Sequence, residues 1–125
     1  MTLQNDRKYT DSHEWLQDLG NGSYRVGLSD YAQNELGDIV FIDLPQVGDT
    51  VTAESSLGDV ESVKAVSEVL GPVRGTVTAV NEALAATPEA INADPYGTWL
   101  IEVNNVTAFA ELMSADDYET FCANA

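Results

Sequence analysis

Asp59-Val60-Glu61-Ser62-Val63-Lys64-Ala65-Val66-Ser67-Glu68, followed at once by Val69-Leu70-Gly71-Pro72-Val73-Arg74-Gly75, is the stretch on which the reading of this chain turns. Lysine is rare here: only Lys8 and Lys64 occur among 125 residues, and Lys64 stands mid-chain between β-prone residues. A lysine in such acidic company is ordinarily a surface residue paired with a neighbouring carboxylate, an arrangement worth about 0–1 kcal/mol. Its surroundings point elsewhere.

Outward from this stretch, the chain reads as short strands punctuated by Gly and Pro. Tyr24, Val26 and Leu28 alternate with Ser23, Arg25 and Gly27, the pattern of a half-buried strand. Ile39-Val40-Phe41-Ile42 is a continuous apolar run, which predicts a strand covered on both faces. Val73, Gly75, Val77 and Ala79 share one face of a third strand, opposite Arg74, Thr76 and Thr78. Trp99, Ile101 and Val103 alternate with Leu100 and Glu102 in a late one. Pro45 to Asp49 and Asp94 to Gly97 carry turn chemistry.

Helical signals are fewer. Ser29 is placed to cap a short helix through Tyr31, Ala32 and Leu36, with Gly37 to end it. Ser114-Ala115-Asp116-Asp117 resembles a capping box opening a last helix through Tyr118 and Phe121. The pattern predicts one mainly β domain over residues 1–125, a sandwich or barrel with short peripheral helices and a C-terminal helix. Disorder is expected only at the two ends, and Lys8 falls in the loose N-terminus.

Charge and composition restrict function. Five Lys plus Arg stand against 21 Asp plus Glu, a net charge of −16. That surface repels phosphate backbones and anionic membranes, so neither nucleic acid nor membrane is an expected partner. Cys122, the single cysteine, permits no intramolecular disulfide and reads as a bystander. The N-terminus has no apolar signal core and no stretch is long enough to span a bilayer, so a cytoplasmic location is expected. With His13 as the sole histidine, a multi-histidine metal site is excluded. A Ser-His-Asp grouping around His13 stays formally open, without the nucleophile elbow that would support it.

Gly48-Asp49 before Lys64 and Gly71-Pro72-Val73-Arg74-Gly75 after it resemble the spacing of lipoyl and biotinyl carrier domains, which place a G-D turn and a P-x-x-G segment around a modified lysine. Other segments narrow the resemblance. Lys8-Tyr9-Thr10 leading to His13-Glu14-Trp15, Asp30-Tyr31-Ala32-Gln33 and Leu36-Gly37-Asp38-Ile39-Val40-Phe41 all resemble the H-protein family of the glycine cleavage system. So do Glu61-Ser62-Val63-Lys64-Ala65, Val80-Asn81-Glu82-Ala83-Leu84 and Ile91-Asn92-Ala93-Asp94-Pro95-Tyr96-Gly97. The likeness runs from about Tyr9 to the last helix. Departures are Gly71, where the family usually has Ala or Ser, Glu68, where Asp is common, and a loop before Trp99 that looks one residue short. A biotinyl carrier is disfavoured, because that family flanks its lysine with Met and this chain has Val63 and Ala65.

The resemblance implies a barrel-sandwich hybrid, two antiparallel sheets with Lys64 at the tip of a tight hairpin. It implies lipoic acid joined to Lys64 as an amide, put there by a lipoate-attaching enzyme, on a non-catalytic and monomeric carrier. The arm would take the aminomethyl group of glycine from a pyridoxal-phosphate glycine decarboxylase to a tetrahydrofolate-dependent aminomethyltransferase. Dihydrolipoyl dehydrogenase would then reoxidise the arm. The alternative is an H-like protein that mainly relays lipoyl groups to other lipoate-dependent enzymes. Location would be the cytoplasm of a bacterium, or the mitochondrial matrix for a processed eukaryotic chain. By the same resemblance, the loaded arm folds into a cleft near His13-Glu14-Trp15, with Ser12, Glu14 and Glu68 at the matching positions. Glu14 and Glu68 are otherwise two more solvated acids.

Overall fold

The computed structural model describes residues 1–125. Nine strands run along the chain: β1 (Lys8–Tyr9), β2 (Glu14–Asp18), β3 (Tyr24–Leu28), β4 (Ile39–Asp43), β5 (Thr50–Val51), β6 (Ser56–Ser62), β7 (Val66–Leu70), β8 (Val73–Val80) and β9 (Ile101–Phe109). Helix α1 (Asp30–Leu36) lies between β3 and β4. A 3-10 turn (Glu82–Ala85) and the single-turn α2 (Ala90–Ala93) precede β9, and α3 (Ala115–Ala123) closes the chain. The strands build two antiparallel sheets, one in the order β1-β2-β3-β9-β8-β5 and one in the order β4-β6-β7. This is the mainly β arrangement with short helices and a C-terminal helix that the pattern predicts, in the barrel-sandwich form that the resemblance implies.

Alternation of apolar residues supplies the filling. Val26 and Leu28 of β3, Val60 of β6, Val69 of β7, Val77 of β8 and Val103 of β9 all belong to one buried cluster. Each such side chain removed from water stabilises the fold by roughly 1.5–3 kcal/mol before the entropy of ordering is counted. A second cluster, Tyr9, Trp15, Tyr96, Ala115, Tyr118 and Cys122, attaches α3 to the outer end of the large sheet.

Local signals set the helix ends. Ser29 Oγ accepts the Ala32 N–H at 3.1 Å, and Gly37, at φ 76°, donates its N–H to Gln33 O at 3.0 Å. Ser114 Oγ accepts the Asp117 N–H at 3.2 Å, so the cap at α3 is made by the serine.

Three expectations are corrected. Ile39-Val40-Phe41-Ile42 forms β4, but as an edge strand with one open face: Val40 is 53% and Phe41 50% exposed, while Ile39 and Ile42 are buried. A register shift between Ile39 and Phe41 against β6 turns both isoleucines inward although they are three residues apart. Leu100 is fully buried beside Ile101, because the regular strand begins only at Ile101. Finally, the N-terminus is tied down. Lys8 pairs with Leu16 in the sheet, Tyr96 Oη donates to Thr2 O at 2.7 Å, and the Thr2 N–H reaches Asp30 Oδ2 at 2.6 Å. No helix is long and apolar enough to cross a membrane.

Candidate functional site

The β6–β7 hairpin turns at Val63-Lys64. Ser62 donates its N–H to Ala65 O at 2.8 Å, which makes the turn a two-residue one. Tight hairpins of this length usually take mirror-image turns with positive φ, favouring Gly or Asn; neither Val63 nor Lys64 has a positive φ. The side chain of Ser62 compensates. Its Oγ accepts the N–H groups of Lys64 and Ala65 at 3.3 and 3.1 Å, and the Val63 N–H is bonded to Asp38 O at 3.0 Å. The turn is therefore held from inside by a hydroxyl and from below by the end of the α1–β4 connection.

Lys64 itself is exposed and takes no part in either ion pair of the structure, Arg7–Asp6 and Arg25–Glu102. The surface pairing that the acidic surroundings suggested is not made. Its stem lies over Gly37: a β-carbon at residue 37 would stand 3.5 Å from Cε and 4.0 Å from Nζ.

Beside the hairpin is a cavity of about 300 Å³, lined among others by Ser12, Glu14, Tyr31, Glu35, Ser67 and Glu68. Ser12, Glu14 and Glu68 are thus brought to one place. The charged groups on its walls are all acids, with no Lys or Arg among them. His13, at φ 75°, makes the sharp turn between β1 and β2 that puts its neighbours Ser12 and Glu14 on the same cavity. Left-handed backbone is uncommon outside glycine, and histidine is one of the residues that tolerate it.

Glu14 is 1% exposed and has three donors. Thr10 Oγ1 and Ser12 Oγ donate to Oε1 at 2.7 and 2.5 Å, and the Leu70 N–H reaches Oε2 at 3.3 Å. Burial pushes its pKa up to about 7, while the hydroxyls of Ser12 and Thr10 and the Leu70 N–H pull the other way. A carboxyl so placed lacks a cation and is poised to gain from one. Glu68 is exposed on β7 and reaches the cavity only at its rim.

Sequence reasoning missed several contributors. Thr10 donates to the carboxylate four residues on, a contact whose only signal is a hydroxyl preceding a strand acid. Tyr31 and Glu35 come from α1: Tyr31 lies in the family-like segment Asp30-Tyr31-Ala32-Gln33, to which the sequence assigns no place in the cavity, and Glu35 carries no motif. His13 Nδ1 meets Tyr118 Oη at 2.7 Å, across 105 residues, and Ser12 gives its hydroxyl to Glu14. The Ser-His-Asp grouping is not assembled. Cys122 is buried, and burial pushes its thiol up, as suits a packing residue.

The model of the glycine cleavage H-protein family matches residues 7–125. The chain is 50% identical over 125 residues to a glycine cleavage system H protein of Koribacter versatilis, covering 98% of this chain and 96% of that one. It is 50% identical over 122 residues to the protein of that name from Listeria welshimeri, covering 95% and 97%. Among solved structures, that of a glycine cleavage system H protein from Mycobacterium marinum superposes with a TM-score of 0.92 at 41% identity, over 97% of this chain and 99% of the other.

Proposed function

The chain belongs to the glycine cleavage H-protein family, and on that premise we propose that Lys64 bears lipoic acid as an amide and that the cavity of Ser12, Glu14 and Glu68 shelters what the arm carries. The protein is the lipoyl carrier of the glycine cleavage system, a non-catalytic component rather than an enzyme. The name shared by its relatives favours this role over a relay of lipoyl groups to other enzymes.

The observation that carries the proposal is the placement of Lys64, an exposed, unpaired amine at the corner of a two-residue turn beside an acidic cavity. That placement fits the cofactor: an accessible primary amine to acylate, and room next to it. Lys64 would hold lipoic acid, which would supply a redox-active disulfide able to bear the aminomethyl group on sulfur. The residues do the rest. Lys64 provides a long stem, which lies over Gly37. Glu14 offers a carboxylate to the cargo's ammonium, with Thr10 and Ser12 fixing its orientation. The walls exclude the water that decomposes the cargo. Tethering then substitutes a high local concentration at each docked enzyme for free diffusion.

The partners in this reading are the pyridoxal-phosphate glycine decarboxylase, the tetrahydrofolate-dependent aminomethyltransferase, dihydrolipoyl dehydrogenase and the enzyme that attaches lipoate. Residues 1–125 act as one carrier domain, monomeric and cytoplasmic.

The test is intact-mass and peptide spectrometry of protein made in lipoate-fed cells. One lipoyl group is expected, on Lys64, taking the net charge from −16 to −17 (−16 − 1 = −17). Lys64→Arg is expected to abolish glycine cleavage. Modification on Lys8 instead, or full activity of Lys64→Arg, overturns the proposal.

A further inference from the structure

Tyr118 lies on α3, whose packing belongs to the aromatic cluster and not to the cavity. Its ring is fully buried and stacked on Tyr9, with centroids 4.5 Å apart and planes 6° from parallel. Its hydroxyl, however, leaves that cluster and joins two walls of the cavity. It meets His13 Nδ1 at 2.7 Å and Ser29 Oγ at 2.7 Å. His13 belongs to the loop that presents Ser12 and Glu14, and Ser29 is the residue that caps α1, the helix supplying Tyr31 and Glu35. The Ser29 N–H also donates to His13 O at 3.0 Å, so the two backbones are already fastened. What the tyrosine adds is control of the imidazole, whose ring lies 4.6 Å from that of Tyr31 as part of the cavity lining.

We propose that Tyr118 is a positioning residue of the carrier: its hydroxyl locks the His13 ring against Tyr31 and so keeps the wall beside Glu14 closed to water. This rests on the reading of the cavity as the shelter of the loaded arm. A buried tyrosine hydroxyl requires partners, and the Tyr9 hydroxyl stacked beside it finds them in the N-terminal backbone at Gln4, away from the cavity. Bonded instead to His13 and Ser29, the Tyr118 hydroxyl makes the C-terminal helix a buttress of the cavity. Without the bond the imidazole is free to rotate about its side-chain torsions. Water then reaches the aminomethyl carbon, and its attack releases ammonia and formaldehyde.

Tyr118→Phe keeps the stacked ring and removes the bridge. The unmodified chain gives one readout, since His13 is the only histidine and its imidazole yields a single NMR titration. Burial holds that ring below its ordinary pKa, against Asp11 and Glu35, which push it up; Glu14, Glu68 and Tyr31 share its cavity, and Phe121 of α3 packs near it. In Tyr118→Phe the titration is expected to move upward as water enters. The second readout is ammonia release from carrier loaded from glycine by the decarboxylase and then separated from it. Release is expected to quicken roughly fivefold, the fold-change matching one lost hydrogen bond. Tyr9→Phe, the same change in the same cluster away from the bridge, is expected to alter neither readout. Should Tyr118→Phe not fold, His13→Asn, whose side chain tolerates the left-handed backbone at this position, removes the ring that Tyr118 holds and is expected to speed release likewise. If Glu14→Ala speeds release and Tyr118→Phe leaves both readouts unchanged, or if Tyr9→Phe acts as strongly, the proposal is overturned and the cavity reading stands. If Glu14→Ala itself leaves release unchanged, the cavity reading falls and takes this proposal with it.

Discussion

Glu14 Oε2 accepts the backbone N–H of Leu70 at 3.3 Å, a bond spanning 56 residues. It fastens the acid of the cavity to the strand that leaves the lysine turn, so the Lys64 hairpin and the Glu14 carboxyl share one rigid frame. The same carboxyl is nearly inaccessible and has no cation beside it.

That isolation predicts a pH dependence of stability. Burial raises the Glu14 pKa from an ordinary 4.5 to about 7. Between these values the unfolded chain has given up a proton that the folded one retains. The stability contributed by this group is therefore complete below about pH 4.5 and is lost as pH rises through about 7. The loss is on the order of 3 kcal/mol. Glu14→Gln has nothing to ionise, so wild type should weaken relative to it across this window. Urea unfolding of both proteins at the two ends of the window measures the difference, and a constant difference would contradict the account.

Ser62 is expected to govern the turn. Its Oγ is the acceptor for both the Lys64 and Ala65 N–H groups, in a turn whose residues have no glycine to relieve it. Ser62→Ala should cost about 1 kcal/mol for the net loss of such bonds. It should also slow lipoate attachment, because Lys64 would be presented in several geometries. Thermal unfolding and the initial rate of modification by the attaching enzyme give the two numbers. Unaltered attachment would show that the enzyme reshapes the turn for itself.

Gly27 is expected to tolerate no side chain. It pairs with Trp15 across β2 and β3, and a β-carbon there would overlap the Trp15 ring. That ring is fully buried and anchored by its Nε1–H donating to Pro95 O at 3.0 Å, so it has nowhere to go. Gly27→Ala should destabilise by about 1–3 kcal/mol, the usual cost of overpacking. Denaturant unfolding followed by Trp fluorescence measures it directly.

These residues also show what was legible in the sequence. Helix ends are local chemistry, and Ser29, Gly37 and Ser114 could be read because cap and capped group are three or four residues apart. Strand faces are local only while the register is regular. The alternation at Val26 and Leu28 put Gly27 on the outer face, whereas Trp15, twelve residues earlier, covers it. The bulge in β4 broke the pattern at Ile39–Ile42, leaving Phe41 in the open. The turn at Val63-Lys64 carries no turn residue and was visible only through resemblance to a family. The cavity was half legible. Ser12 and Glu14 lie within one motif, but Tyr118 reaches His13 from 105 residues away, and nothing in the spacing announces that.

The outer face of the small sheet leads to the last prediction. In register, Phe41 of β4 stands opposite Glu61 of β6, and Glu61 opposite Val66 of β7. The next outward-facing row is Asp43, Asp59 and Glu68. Beside Lys64, then, two exposed apolar residues, Phe41 at 50% and Val66 at 68%, flank Glu61 and adjoin a row of three further acids, within a chain of net charge −16. The acids should act at a distance, drawing basic rims on the decarboxylase and the aminomethyltransferase and raising the association rate. The apolar pair should act only on contact, slowing dissociation. Salt separates the two. Raising ionic strength from about 0.01 to 1 M shortens the screening length from about 30 to 3 Å, and kon should fall by roughly tenfold or more while koff changes little. Phe41→Ser should do the reverse, raising koff at every salt concentration and leaving kon nearly unchanged. Surface-binding kinetics with each immobilised enzyme measures both rates. An association rate indifferent to salt would mean that the acidity of this surface serves solubility and not encounter.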